Sequence, residues 1–223
     1  MTWRPGVVTL TAVRLYKEII MAKIDYRKEL SVLYKASAKT AHIVDVPQMN
    51  FFMVDGQGDP NNSQDFQDAV EALYSLSYTL KFAIKMGKTA VDYGVPPLEG
   101  LWWADDMSAF ASGRKDEWKW TLMIMQPEFV TGELVDEAIE KVRSKKNPVA
   151  LSKVRFEPFS EGAAAQILHV GPYSEEGPTI EKLHAFIRDG GHEPAGKHHE
   201  IYLGDPRRAA PEKLRTIIRQ PMT

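Results

Sequence analysis

The chain has no cysteine among its 223 residues, which removes disulfides, thiolate nucleophiles and cysteine-ligated zinc together. That absence suits a reducing compartment, and a cytoplasmic protein is expected. An excess of charge of one sign is also missing: 28 Lys+Arg stand against 30 Asp+Glu, for a formal net charge of -2. Proteins that hold nucleic acid by neutralising phosphates carry a basic excess, so no direct nucleic-acid partner is expected. No stretch approaches the roughly 20 apolar residues that span a bilayer, so no membrane partner is expected either. The apolar run 7–13 is broken by Thr9 and Thr11 and leads to no small-residue cleavage site, unlike a signal peptide. At 43% hydrophobic and 26% charged, the composition is that of a globular protein, and the length suits one larger domain or two small halves sharing a core.

Lys17-Glu18 can be encoded AAG-GAG, a purine run of the ribosome-binding type at a suitable distance before Met21. Residues 1–20 are therefore read as a leader or extended start, and 21–223 as a single domain. From Asp25 a short capped helix is expected, with Leu30, Leu33 and Tyr34 on one side, packed outside the main core. Strands follow at 42–46 and 49–55, then a dense turn signal at 56–62. Phe66, Ala69, Val70, Leu73, Tyr74, Ser77, Leu80 and Ile84 form a helical stripe that Asn62 or Ser63 caps and Gly87 ends. Strands at 98–103 and 118–125 flank a polar loop, and a helix capped by Thr131 stops before Pro148. Beyond it lie strands at 153–159 and 163–170, a helix over 175–189 and strands at 198–203 and 214–219.

Strand, long helix, strand, strand thus occurs twice, a repetition that implies related halves. The fold class read from it is α+β, with two pseudo-symmetric strand-helix-strand-strand repeats, antiparallel sheets and a cleft at their junction. The first repeat covers about 41–127, a linking helix about 131–147, and the second repeat about 152–221. Each half has one helix for one sheet face, leaving the other face for the partner half or for the cleft.

Strand alternation puts His198, Glu200 and Tyr202 on one face and His199, Ile201 and Leu203 on the other. A carboxylate inside a core element persists mainly where it has partners or a task; the plainer alternative is a wet-face Glu200 paired with Arg207 or Arg208. Four of the five tryptophans, Trp102, Trp103, Trp118 and Trp120, fall on the two strands of the first half. Trp118 and Trp120 share a face, whereas Trp102 and Trp103 point oppositely, and alternation does not decide which of them meets a flat ligand. Adjacent His198 and His199 diverge on a strand and no pair at helix spacing supports them, so no metal site is expected. No phosphate-binding loop or nucleophile elbow is present, and no cofactor is called for.

Four stretches, 49–60 (MNFFMVDGQGDP), 95–103 (VPPLEGLWW), 169–173 (HVGPY) and 198–206 (HHEIYLGDP), resemble in their order the GyrI-like small-molecule-binding domain family. The resemblance covers nearly everything after Met21. The Trp-Trp pair and the terminal Arg-Gln-Pro are similar to a stand-alone branch whose members hydrolyse the cyclopropane ring of DNA-alkylating natural products; other relatives only bind ligands. The resemblance implies that Glu200 faces the cleft as general base and that Tyr93 or Tyr173 donates a hydrogen bond to the substrate. It further implies that Trp102, Trp103, Trp120, Phe52, His198 and Tyr202 line the site, with a hydrophobic aromatic small molecule as partner. Relatives that carry a DNA-reading helix-turn-helix segment ahead of the domain are regulators; only about 25 residues separate Met21 from the first strand, too few for such a reader. The alternative to hydrolysis is sequestration of lipophilic aromatic cations in the same cleft.

Overall fold

A computed structural model describes residues 23–223 apart from Met107. The reading of residues 1–20 as a leader lies outside the described residues. Asp25 accepts a hydrogen bond from the Arg27 amide at 3.1 Å and starts a helical turn. The expected single helix is two turns, α1 (Tyr26–Glu29) and α2 (Ser31–Tyr34), separated at Leu30, whose ψ of 42° is not helical. The strands are β1 (His42–Val46), β2 (Met49–Gln57), β3 (Leu98–Trp103), β4 (Lys119–Gln126), β5 (Arg155–Phe159), β6 (Gly162–Val170), β7 (His198–Tyr202) and β8 (Arg215–Pro221). Ser63 caps α3 (Gln64–Met86) by accepting from the Phe66 amide, and Gly87 ends it. The segment read as a polar loop contains α4 (Ser108–Ala111) and a 3-10 turn, Lys115–Glu117. Thr131 caps α5 (Gly132–Lys145), and α6 (Gly177–Asp189) stops at Gly190.

All eight strands form one antiparallel, curled sheet in the order β1-β6-β8-β7-β3-β4-β2-β5. That order is unchanged when the first four strands are exchanged with the last four, so a pseudo-twofold axis passes between β3 and β7. Pairing there is centred on Gly100 and Glu200, with Glu99 opposite Ile201 and Leu101 opposite His199. β1 and β5, which fall within the spans 41–127 and 152–221, also correspond, so each half has one more strand ahead of its strand-helix-strand-strand unit. Each of these outer strands crosses to the other half, β1 pairing with β6 and β5 with β2. The halves therefore join edge to edge and by exchange of outer strands, not face against face.

α3 and α6 pack on one face of the sheet. The α3 side chains Leu73, Leu76, Leu80 and Ile84 bury against Phe52, Val54, Leu122 and Ile124, each contributing about 1.5–3 kcal/mol. On the same face Leu183 and Ile187 of α6 bury against Ala165, Ile167 and Ile218. Gly56, read as part of the turn, lies within β2, where Trp120 crosses the strand so closely that a Cβ would fall on its six-membered ring.

Away from the main cluster under α3, α1 and α2 lie over the opposite face, with Leu33 and Tyr34 buried in a second cluster against Val44, Leu168 and Ile217. A dry polar network fastens them. The Tyr34 hydroxyl donates to Glu99 at 2.8 Å, and the His199 ring nitrogens lie 3.0 Å from Glu99 and 2.9 Å from Glu161. Arg219 donates to Glu161, to Gln166 and to the Leu33 carbonyl. Both His199 nitrogens face carboxylate oxygens, so both must donate and the ring is an imidazolium. Burial alone would lower the His199 pKa, yet Glu161 and Glu99 raise it to about 9; burial likewise disfavours the Glu161 charge, but His199 and Arg219 bring its pKa to about 2.

Gly56→Ala should cost about 1–3 kcal/mol in chemical denaturation through displacement of Trp120, whereas Gly132→Ala, where a Cβ meets nothing within 4 Å, should lose little. The Glu161 contribution is complete above its unfolded value and disappears as pH falls toward 2; the His199 contribution is complete below its unfolded value and disappears as pH rises toward 9. Stability from this network is thus largest between about pH 4.5 and 6.5, and urea midpoints across pH should decline on both sides, more shallowly in His199→Leu.

Candidate functional site

Between the two hydrophobic clusters under α3 and α6, the row Val54, Leu122, Gly100, Glu200, Ile218, Ile167 runs across the sheet in register. Glu200 is the one charged residue in it. Its side chain keeps 15% of its exposure, so the carboxylate is mostly dry but reachable from solvent. Gly100 opposite is required by close approach: a Cβ there would lie 2.8 Å from the Trp102 indole nitrogen and 3.0 Å from the Tyr202 hydroxyl. The space left by that glycine lets a relay form. The Trp102 indole N–H donates to the Tyr202 hydroxyl at 3.1 Å, and that hydroxyl donates to Glu200 Oε2 at 2.8 Å. His198 Nε2 stands 3.2 Å from Glu200 Oε1.

Burial disfavours the Glu200 charge. Hydrogen bonds from His198 and Tyr202 outweigh it and hold the carboxyl below the usual carboxylate range. Burial and the Glu200 charge push the Tyr202 phenol far upward, so it remains a donor. Glu176, at the start of α6, is 4% exposed. Its Oε1 and the Thr216 hydroxyl are buried without a formed hydrogen bond. Burial and then the Glu200 charge raise the Glu176 pKa to about 9. The turn before α6 is fastened by His169. Its Nε2 donates to the Pro172 carbonyl at 3.2 Å, leaving Nδ1 to accept from the Thr179 hydroxyl at 3.0 Å. Tyr173 in this turn stands edge-on to Tyr202 at 5.6 Å and is 38% exposed.

Glu200, His198, Tyr202, Trp102 and Tyr173 are therefore brought together. Arg207 pairs instead with Asp205. Trp103 points to the opposite face, where Lys197 lies 3.3 Å over its ring beside a hollow of 510 Å³ that also includes Asp55, Lys119 and Arg155. Trp120 and Phe52 are fully buried, Trp120 edge-on to Phe66 and Phe52 against Phe156, and they support the wall from behind. Tyr93 packs edge-on to Tyr26 and Phe129, with its buried hydroxyl lacking a partner among the described residues. Among the described residues no group of three or more His, Asp or Glu is placed to hold a metal ion, and no helix is long and apolar enough to cross a membrane. The sequence reading does not point to Glu176 or Thr216. The available signal was a glutamate at a helix N-cap, where a shorter polar side chain is the usual choice.

A profile of the GyrI-like small molecule binding domain matches residues 40–222, and the chain belongs to this GyrI-like family. Among solved structures, an uncharacterized conserved protein from Listeria innocua is 44% identical, over 90% of this chain and 100% of that one, with a TM-score of 0.83. A hydrolase from Listeria innocua is 42% identical, over 91% of this chain and 100% of its own, with a TM-score of 0.82. The EcmrR C-terminal domain, 11% identical over 82% of this chain and 97% of its own with a TM-score of 0.52, shares the fold. No match was found among curated proteins.

Removing the Tyr202 hydroxyl deprives Glu200 of its shortest hydrogen bond and Trp102 of its acceptor. Tyr202→Phe should raise the Glu200 pKa, read by carbon-13 NMR titration of the side-chain carboxyl, and should change Trp102 fluorescence; an unmoved titration would contradict the relay.

Proposed function

We propose that this GyrI-like protein is a hydrolase that opens an electrophilic cyclopropane conjugated to a dienone, a spirocyclopropyl dienone, with Glu200 as general base. The observation that carries the proposal is a carboxylate held ionised in a mostly dry, ring-lined position while a small part of it stays open to water. Similarity to a hydrolase of known structure supports the reaction class. In this reading Glu200 takes a proton from water as the oxygen attacks the ring methylene. The strained carbon–carbon bond breaks, its electron pair moves through the dienone to the carbonyl oxygen, and that oxygen takes up a proton to become a phenol. A tyrosine hydroxyl donates to the oxygen as charge develops. Tyr173 stands in the cluster, with burial and Glu176 pushing its pKa up to about 12, and Tyr93 has a buried hydroxyl with no other use among the described residues. Release of ring strain drives the step, so proton transfer and orientation by side chains suffice as the protein's contribution.

The second reading, sequestration of a lipophilic aromatic cation, is favoured by the same Glu200 charge flanked by the rings of Tyr173 and Tyr202. Glu200→Gln separates the two. For hydrolysis, turnover of a spirocyclopropyl dienone should fall about 10²–10⁴-fold while affinity for the neutral substrate persists. For sequestration, neither form turns over and only cation affinity is lost. Tyr173→Phe and Tyr93→Phe, assayed side by side, identify the carbonyl donor as the one that lowers kcat more than it changes KM.

A further inference from the structure

We propose that the hollow on the sheet face opposite Glu200 is a second binding site, for a small aromatic carboxylate whose charge meets Lys197 and whose ring lies on the apolar floor beside Trp103. The site stands apart from Glu200 and does not depend on what Glu200 does.

The hollow follows from strand register. His198 of β7 pairs with Trp102 of β3, and the chain enters β7 through Gly196 at a φ of 64°, so Lys197 comes level with Trp103. Its ammonium stands 3.3 Å from the centre of the Trp103 ring. Trp103 pairs in turn with Lys119 on β4, and Lys119 with Gln57 on β2, so these residues line one end of the sheet. One row inward, Asp55, Thr121 and Leu101 are in register. The floor is apolar: Met53 and Leu101 continue from the cluster that Tyr26 and Leu30 cover, and Phe159 joins them from β5. No helix residue lines the hollow, whose 510 Å³ is the size of a small-ligand site.

The charge it accepts is decided by which cations already have partners. Arg155 donates to Asp55 at 2.7 Å and to Glu157 at 3.2 Å, and Asp55 also accepts from the Thr121 hydroxyl at 2.7 Å. Lys119 lies 2.7 Å from Asp105. Lys197 forms no salt bridge among the described residues, and its neighbour is the face of a ring. Partial burial pulls its pKa below the ordinary lysine value, although the Asp55 charge opposes that shift. One uncommitted cation matches one negative charge. A carboxylate therefore fits, whereas a phosphate dianion would need Arg155 or Lys119 to give up its carboxylate. A ring on the ligand adds apolar burial over Met53, Leu101 and Phe159, while Trp103 holds the ammonium from its other side. The two faces of the sheet thus offer charges of opposite sign, an acid on one and a free ammonium on the other.

The probe is 2-naphthoate, followed through the Trp103 indole N–H in proton–nitrogen correlation spectra, with that signal assigned by its loss in Trp103→Phe. Saturable movement of the Trp103 signal is expected below about 10 mM ligand. The Trp102 indole, which faces Tyr202 on the Glu200 side, should stay in place. The uncharged isostere 2-naphthamide should bind about 10-fold more weakly. Lys197→Met should lose about 10-fold in naphthoate affinity, and Lys197→Arg, which restores the charge, should keep it within about 3-fold, with melting curves verifying that both variants fold. The proposal is overturned by a Trp103 signal that does not move, by an amide that binds as well as the carboxylate, or by a folded Lys197→Met that binds like the wild type. Tighter binding of 2-naphthyl phosphate overturns the preference for a single charge, and movement of Trp102 in place of Trp103 assigns the ligand to the Glu200 face and overturns the second site.

Discussion

A negative charge stands mostly out of water at the middle of the sheet, and the surrounding structure is arranged around the cost of keeping it there. An unpaired carboxylate in such a place is expensive. Here two donors converge on Glu200: the Tyr202 hydroxyl on one oxygen and His198 on the other. Tyr202 is held in turn by the Trp102 indole, which lies over Gly100 because no side chain occupies that position. The hydrophobic clusters under α3 and α6 lie on either side and fix the strands that carry these groups. The relay is rigid because its members sit on paired strands, which suits a group that must keep one orientation toward a ligand.

The pseudo-twofold axis explains why chemistry concentrates at β3 and β7. Pairing centred on Gly100 and Glu200 makes residue n of β3 equivalent to residue n+100 of β7, so Trp102 corresponds to Tyr202 and Glu99 to His199. Divergence of equivalent positions has produced a polar group on each face of the sheet. On one face Glu99 and His199 belong to a network in which nearly every donor meets an acceptor, closed over by α1 and α2. That is the arrangement of a structural fastening. On the other face, Glu176 and Thr216 retain buried atoms with no formed hydrogen bond, and the Glu200 side chain keeps a small part of its exposure. Unsatisfied groups beside an accessible charge are characteristic of a place where a ligand supplies the missing partners.

Much of this was legible from local signals. Period-3.6 stripes and side-chain caps located α3 and α5, and the twice-repeated element order implied the duplicated fold. Alternation along five residues placed His198, Glu200 and Tyr202 on one face. The choice between Trp102 and Trp103 needed the register of β3 against β7, which is a long-range property that no local pattern encodes. The crossing of β1 and β5 between halves was hidden for the same reason. Glu176 reads as an ordinary acid at a helix start, and its burial is a property of the folded chain, in which the turn before α6 is fastened by His169. The single glycine at position 100 gave no sign in sequence of the close approach that it permits.

Incubation of the wild-type protein with a spirocyclopropyl dienone in oxygen-18 water, followed by mass analysis of the product, tests the central claim most directly. A charged base beside an aromatic wall predicts a ring-opened phenol carrying one heavy oxygen on the former ring methylene. Recovery of unchanged substrate, with an aromatic cation bound tightly at the same carboxylate, would contradict hydrolysis and leave a protein that only captures its ligand.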